Sequence, residues 1–301
     1  MCPNNSIEPN KKGFMKLDLY EKIIDEISDY AHDIYLFHRG ESLMHPDFFE
    51  MVEYAQKKGL MTKLHTNATL LSEEKSYKLL KSELNFLSFS FDGVNKETYE
   101  KIRVGADFDE TLDNIIRFLQ LKKKYAKIKP YTRVQILDIP GVELDATEKK
   151  KFKERFRSLP LDEIHVIPAH NWAGNIKLNR EHMRVSSEIC TFPWYSLTVF
   201  WDGTVVPCPQ DFMGELELGN AKTDCILNVW NSERMLNLRE RMVEGKIMDL
   251  KPCNNCDRIL RDTILDSNIP KQNLVSFISE NVLGCRSKKF LEKILRLPPS
   301  T

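Results

Sequence analysis

The chain has 301 residues, 42% of them apolar and 29% charged, with Lys+Arg and Asp+Glu equal at 44 each. That is ordinary for a packed chain of one large domain or two moderate ones. The neutral balance argues against a partner bound by phosphate neutralisation. No apolar run of roughly 18 or more residues suggests a membrane span, and no basic-then-apolar leader marks export. The expected setting is cytoplasmic, with no nucleic-acid and no membrane partner.

Taken in order, the elements alternate. Residues 17–31 carry apolar side chains at helical spacing, and "IYLF" (34–37) reads as a buried strand. Residues 45–59 read as a helix, with Pro46 near the start and Gly59 after the end. "MTKLHT" (61–66) is a strand, 72–82 a helix capped by Ser72, and 85–92 a strand. A strong helix over 109–126 precedes a strand at 131–138. A basic, exposed helix at 145–159 precedes a strand at 164–168. Five strands alternating with helices imply parallel strands joined by right-handed crossovers. An α/β barrel, closed or partly open, and a doubly wound sheet both fit, and both put ligands at the carboxyl ends of the strands.

Those ends are chemically loaded. "HRGESLMHP" (38–46) follows the first strand, "HTNATL" (65–70) the second, "SFDGVN" (90–95) the third and "AHNWAG" (169–174) the fifth. Gly40-Glu41 suits a tight turn aiming a carboxylate into a pocket, although a lone charged loop residue is more often solvated. There is no G-x-G-x-x-G and no Walker-type lysine motif, which demotes nicotinamide dehydrogenases and nucleotide hydrolases.

Six of the seven cysteines fall in the last 112 residues. In a chain without an export signal, clustered cysteines point to metal or redox chemistry more than to disulfides. Cys190 and Cys208 flank "YSLTVFWDGTVVP", a hairpin signal centred on Asp202-Gly203. Cys253 and Cys256 form a C-x-x-C. Together they make four soft ligands, and their spacing alone leaves zinc and an iron–sulfur cluster both open. Cys225 and Cys285 read as small core residues.

Several motifs, in this order and spacing, resemble the radical S-adenosylmethionine (radical SAM) superfamily with a C-terminal SPASM or twitch-type extension. They are "RGESLMHPDFFEMVEYAQKKG", "LHTNATLL", "SFDG" with "YEKIR", and Cys190, Gly203 and Cys208 in a C-x12-G-x4-C pattern. "LGNAKTDCILNVWNSERM" before the C-x-x-C completes the set. The resemblance covers roughly residues 1–260. It implies a partial (β/α)6 barrel lacking its first strand over 1–175, a cysteine-rich domain over 185–260 and a helical tail over 261–301. It also reads "MCP" at the start as the tail of a C-x-x-x-C-x-x-C motif. Cys2 is then its third cysteine, with two more expected upstream.

The resemblance implies S-adenosylmethionine, a [4Fe–4S] cluster at the radical site (incomplete here) and one auxiliary [4Fe–4S] cluster on Cys190, Cys208, Cys253 and Cys256. Asp262 stands where a fuller SPASM domain places another cysteine. The implied activity is a 5′-deoxyadenosyl radical abstracting hydrogen from a peptide, sugar or small metabolite, given the upstream cysteines. An electron donor such as flavodoxin or ferredoxin is also implied. Glu41 matches a glutamate that accepts from the cofactor amino group, and Gly40 would let the backbone approach closely. Arg39 stands where the family has its first glycine, and Ser42 where it has proline. Ser90 and Asp92 are candidates for the ribose hydroxyls, and Asn67 and Arg103 for the pocket. His38, His45, Trp172 and Trp201 are read equally as substrate contacts and as packing. Two alternatives stay open: an electron-transfer protein without radical activity, and a zinc-stabilised binding protein.

Overall fold

The structure, a computed structural model, describes residues 2–142, 145–178 and 190–257. Cys285, Asp262 and the helical tail expected over 261–301 lie outside the described residues. Two compact units emerge, and each is described by itself.

One unit takes 32–37 and 41–169 among the described residues. Its strands are β1 (Asp33–Tyr35), β2 (Met61–Thr66), β3 (Phe86–Ser90), β4 (Tyr131–Asp138) and β5 (Glu163–Pro168). All neighbours pair in parallel, and the order across the sheet is β1-β2-β3-β4-β5. A doubly wound sheet reverses its strand order at a switch point, whereas barrel winding adds each strand beside the last. The unreversed order settles the alternative left open by the sequence in favour of barrel winding.

The helices of this unit are α2 (Phe48–Lys57), α3 (Glu73–Lys81), α4 (Lys96–Ile102), α5 (Phe108–Lys124) and α6 (Ala146–Glu154). Ser72, Asn95, Asp107 and Asp145 cap α3, α4, α5 and α6 by accepting from a backbone N–H three residues on. Gly59 ends α2 with φ +85°. Helix α4 lies where the sequence reading placed no element. It is seven residues long, too short to show an apolar period.

Side chains alternate across each strand. Leu64, Leu87, Phe89, Val134 and Ile136 face the helices and join Leu79, Leu112, Ile115 and Phe118 in one core. Lys63, His65, Phe86, Tyr131, Arg133, Glu163 and His165 occupy the alternate positions.

The other unit takes residues up to Ala31, His38–Gly40 and the described residues from His170 onward. Its elements are α1 (Leu17–Ile27), α7 (Phe192–Tyr195), β6 (Thr198–Val199), β7 (Thr204–Val206), β8 (Gly219–Asn220), α8 (Ile226–Trp230) and α9 (Glu233–Val243). The hairpin expected around Asp202-Gly203 is present: β6 and β7 pair antiparallel, and Gly203 turns with φ +88°. β8 adds a third antiparallel strand. Leu19 and Ile23 of α1 share a core with Val205, Leu218, Ile226, Val229, Met235 and Leu238. Lys22 fixes the same helix by donating to the carbonyls of Ala221 and Asp224, and Glu26 accepts from Ile226 N.

Candidate functional site

Glu41 follows β1 and opens a short 3-10 turn over Ser42–Met44. Its Oε1 accepts from Leu43 N at 3.1 Å and from Thr66 Oγ1 at 2.8 Å, and its Oε2 accepts from Asn67 N at 2.8 Å. A carboxylate has about four acceptor positions, so one, on Oε2, remains for a ligand. Thr66 and Asn67 lie at the end of β2, so the carboxylate sits at a strand's carboxyl end, where barrel folds bind ligands. The loop behind it is braced. Asn67 Oδ1 accepts from Thr69 N and Oγ1, Asn114 of α5 donates to Ala68 O, and Arg117 donates to Leu71 O.

A Cβ built at Gly40 meets no protein heavy atom within 4 Å, so the protein itself leaves that flank of the turn open. The left-handed residue of this turn is Arg39, with φ +54°, so the conformational demand falls one position earlier. Ser90 ends β3, half-buried. Asp92, two residues on, is 3% exposed and ion-paired with Arg103. Burial pushes its carboxyl up, against the pull of Arg103. Its Oδ1 is buried without a partner, as is Arg103 Nε.

In the other unit Cys190, Cys208, Cys253 and Cys256 line one small cavity, walled by Phe192, Pro193, Leu238 and Met242. α7 starts beside Cys190, β7 leads into Cys208, and a 3-10 turn over Cys253–Asn255 begins the C-x-x-C. All four thiols are free of disulfides. Burial first, with Cys256 and Cys190 nearby, pushes the Cys208 thiol up to about 12. Cys253 is pushed up as well, by burial and then by its three thiol neighbours. Coordination reverses this, because a metal deprotonates its thiol ligands outright. Among the described residues no three His, Cys, Asp or Glu side chains close on a single ion. The lining holds four thiols and no imidazole or carboxylate, a donor set suited to soft metals.

Cys225 is not in this lining; it lies at the start of α8 and hydrogen-bonds the Glu26 carboxylate. Cys2 is exposed and is also absent from the lining. A radical-site cluster takes three or four thiolates, and Cys2 is the cysteine of this chain expected to supply one of them.

Trp201 is a packing residue: its ring covers Gly13 and its Nε1 donates to Lys11 O. His38 is half-buried and stacked on Phe200 at 5.3 Å, with Nε2 on Pro209 O at 3.1 Å. Burial lowers its pKa to about 4, so it is the neutral ring that donates. Trp172 meets His170 and Phe212 edge-on. His45 Nδ1 accepts from Asp47 N.

The sheet face turned away from the helices carries a polar network absent from the expected site. Lys63 is ion-paired with Asp33 and Arg133 with Glu163 at 2.8 Å, and His165 Nδ1 lies 3.2 Å from a Glu163 carboxylate oxygen. His65 is held neutral among Phe37, Phe86 and Tyr35; burial, then Arg133 and Lys63, lower its pKa to about 3. Ser88 Oγ, on the same face, is buried without a partner. The signal was present as period-two polar residues in apolar strands: Lys63 and His65, Arg133 and Gln135, Glu163 and His165.

A family model described as the radical SAM superfamily matches residues 1–149, and one described as an iron–sulfur cluster-binding (SPASM) domain matches 190–257. The tungsten-containing aldehyde ferredoxin oxidoreductase cofactor-modifying protein of Pyrococcus furiosus is 23% identical over 270 residues, covering 75% of each chain. The AdoMet-dependent heme synthase of Methanosarcina barkeri is 35% identical over 115 residues, 38% of this chain and 33% of that protein. The chain therefore spans about a third of that relative's length. Among solved structures, anSMEcpe with bound AdoMet aligns with TM-score 0.58 at 17% identity, over 99% of this chain and 95% of that one. SuiB of Streptococcus suis bound to precursor peptide SuiA gives TM-score 0.59 at 14% identity, over 86% and 67%. These likenesses establish the fold.

Proposed function

We propose that this chain, which belongs to the radical SAM superfamily and carries a SPASM iron–sulfur cluster-binding domain, is a modifying enzyme that acts on a peptide, sugar or small metabolite by radical hydrogen abstraction. The observation that carries the reading is the convergence of Cys190, Cys208, Cys253 and Cys256 on one cavity. They come from three separate stretches of chain. A protein using them only as small apolar filler has no reason to bring all four together.

These thiolates would hold the auxiliary [4Fe–4S] cluster; when bound it supplies one-electron chemistry. Four protein ligands close such a cluster to substrate, which favours electron transfer. The apolar wall of Phe192, Pro193, Leu238 and Met242 keeps water out. Glu41 would take the cofactor ammonium on the open position of Oε2, a charge-assisted bond to a carboxylate already fixed in place. Cys2 would be one thiolate of the radical-site [4Fe–4S] cluster, which when bound supplies the one-electron reduction of the cofactor. Of the other expected cofactor contacts, Ser90 and Asn67 lie at strand ends. Asp92 and Arg103 are engaged with each other, which favours bracing of the loop after β3.

Anaerobic reconstitution with ferrous iron and sulfide tests the proposal. The expected result is about four irons and four sulfides per chain, lost together when Cys208→Ser is introduced. Tight zinc binding with no sulfide would overturn it. The closed set of four thiols favours one second reading, a cluster-binding electron-transfer protein. Incubation with S-adenosylmethionine and dithionite separates the two: 5′-deoxyadenosine formation supports the enzyme, and its absence from a cluster-loaded chain supports the second reading.

A further inference from the structure

The loop that carries Cys208 is held by two residues distant in sequence. Arg39 lies face-on over the Phe200 ring at 3.4 Å and donates from both Nε and a terminal nitrogen to Phe212 O. His38 stacks on Phe200, leans on Phe212 and bonds Pro209 O. The contacts therefore fall on Phe200, at the start of the hairpin turn, and on the first and fourth residues after Cys208. The loop is also braced from within: Asp211 accepts from the backbone N–H groups of Gly214, Glu215 and Leu216. Gly214, at φ +78°, leaves room for Phe200 and Arg39, and a Cβ there would stand 3.1 Å from the Phe200 ring.

Arg39 holds this position at a conformational cost. Its φ of +54° is left-handed, where side chains with a Cβ are strained and glycine is not. A residue chosen for backbone conformation alone would be glycine. The arginine is kept there, and its guanidinium makes contacts no smaller side chain can make.

We propose that Arg39 is a positioning residue for the auxiliary cluster: its guanidinium clamps the 208–214 loop and so fixes where the Cys208 thiolate points. This rests on the reading of the four cysteines as cluster ligands. The alternative is that Arg39 merely fills space at a strained turn. The two predict different cluster stabilities for Arg39→Gly. Glycine relieves the backbone strain, so a space-filling role gives an equal or higher melting temperature and an unchanged cluster. A clamp gives a looser Cys208 even where the fold is as stable.

The test uses the full chain, reconstituted with iron and sulfide, as wild type, Arg39→Gly and Arg39→Lys. The readouts are iron and sulfide per chain, the rate of iron loss to EDTA, and the melting temperature without metal. Arg39→Gly is expected to release iron about tenfold faster, the scale of one lost cation–π contact with its hydrogen bonds. Its metal-free melting should stay near wild type. Arg39→Lys keeps the charge but loses the flat fork, and is expected to release iron about threefold faster. Wild-type release from both variants overturns the clamp. If Arg39→Gly fails to fold, Arg39→Lys decides alone. A wild-type chain that takes up no iron and sulfide overturns the ligand reading itself, a result distinct from a loaded wild type indifferent to Arg39.

Discussion

The Glu41 carboxylate can be tested before any cofactor is loaded. Its three donors occupy both oxygens: Leu43 N and Thr66 Oγ1 on Oε1, and Asn67 N on Oε2. Glutamine keeps the shape but replaces one oxygen with a donating NH2. With the amide oxygen toward Leu43 and Thr66, the NH2 faces Asn67 N–H. With the amide reversed, it faces Leu43 N–H; the Thr66 hydroxyl can rotate to accept, but a backbone N–H cannot. Either way one backbone donor loses its acceptor, at about 1–3 kcal/mol. Partial exposure of this site lets water recover some of that, so about 1.5 kcal/mol is expected. For a unit of this size that lowers the melting temperature by about 3–6 °C. Thr66→Val removes one donor to the same carboxylate. Combined with Glu41→Gln it should cost less than the sum of the two, because both act on one network. The assay is thermal melting of the metal-free full chain, single and double variants side by side. A Glu41→Gln chain that melts with wild type, or strictly additive variants, would refute the idea that Glu41 is held by these donors.

The remaining predictions concern both units. His65→Phe should flatten the acid sensitivity of stability. The folded-state pKa of His65, about 3, lies below the ordinary 6.5, so the unfolded chain protonates first. Its contribution is present above about pH 6.5 and lost as pH falls toward 3, amounting to about 3 kcal/mol at pH 4.5; equal urea-midpoint shifts between pH 7 and 4.5 in variant and wild type would count against it. Lys122→Met should destabilise by roughly 3–4 kcal/mol, because Lys122 Nζ, 1% exposed, bonds Asp162, Thr132 and Pro160, leaving the Asp162 carboxylate unpaired. The Asp162 pKa is lowered, by Thr132 N–H and Lys122 acting against burial, so its contribution is present above about pH 4 and lost below; urea unfolding of Lys122→Met at pH 7 and pH 3 should show the deficit shrinking in acid. Gly203→Ala should cost about 2 kcal/mol, since φ is +88° and the Cβ would meet Asn220 Oδ1 at 2.5 Å; unchanged melting would contradict the turn. Cys225→Ser should leave iron content unchanged where Cys208→Ser abolishes it, measured by iron and sulfide analysis.

What could be read from the sequence follows from which forces are local. β2 and β4 were bounded to the residue, because apolar runs end at Thr66-Asn67 and Asp138, where polar groups take over. The hairpin was legible because Asp202-Gly203 is a turn that only a positive φ completes. The four cysteines could be grouped because a C-x-x-C and a hairpin's two ends each fix a pair, and all four line one cavity. The order of strands was not legible, since alternation permits both windings and only pairing distinguishes them. Nor was the role of residues 1–31. α1 is amphipathic in either setting, and its place beside Val205 and Ile226 depends on long-range contacts such as Lys22 to Ala221.

Arg39 was seen only as a departure from glycine, and a departure says nothing about what compensates it. The compensation is the ring of Phe200 and the carbonyl of Phe212, about 170 residues away. The polar face of the sheet was hidden for a related reason. In a strand read as a buried run, Lys63 and His65 look like interruptions. Only when Leu64 is assigned to the helix side do they become a second surface, whose charges pair across strands: Arg133 with Glu163 in register, Lys63 with Asp33 two residues out of step. Such pairs pay desolvation for specificity of arrangement rather than for stability. They leave that face of the sheet with paired charges and a neutral His65. The single-residue motifs of the strand ends were legible because they repeat a family pattern.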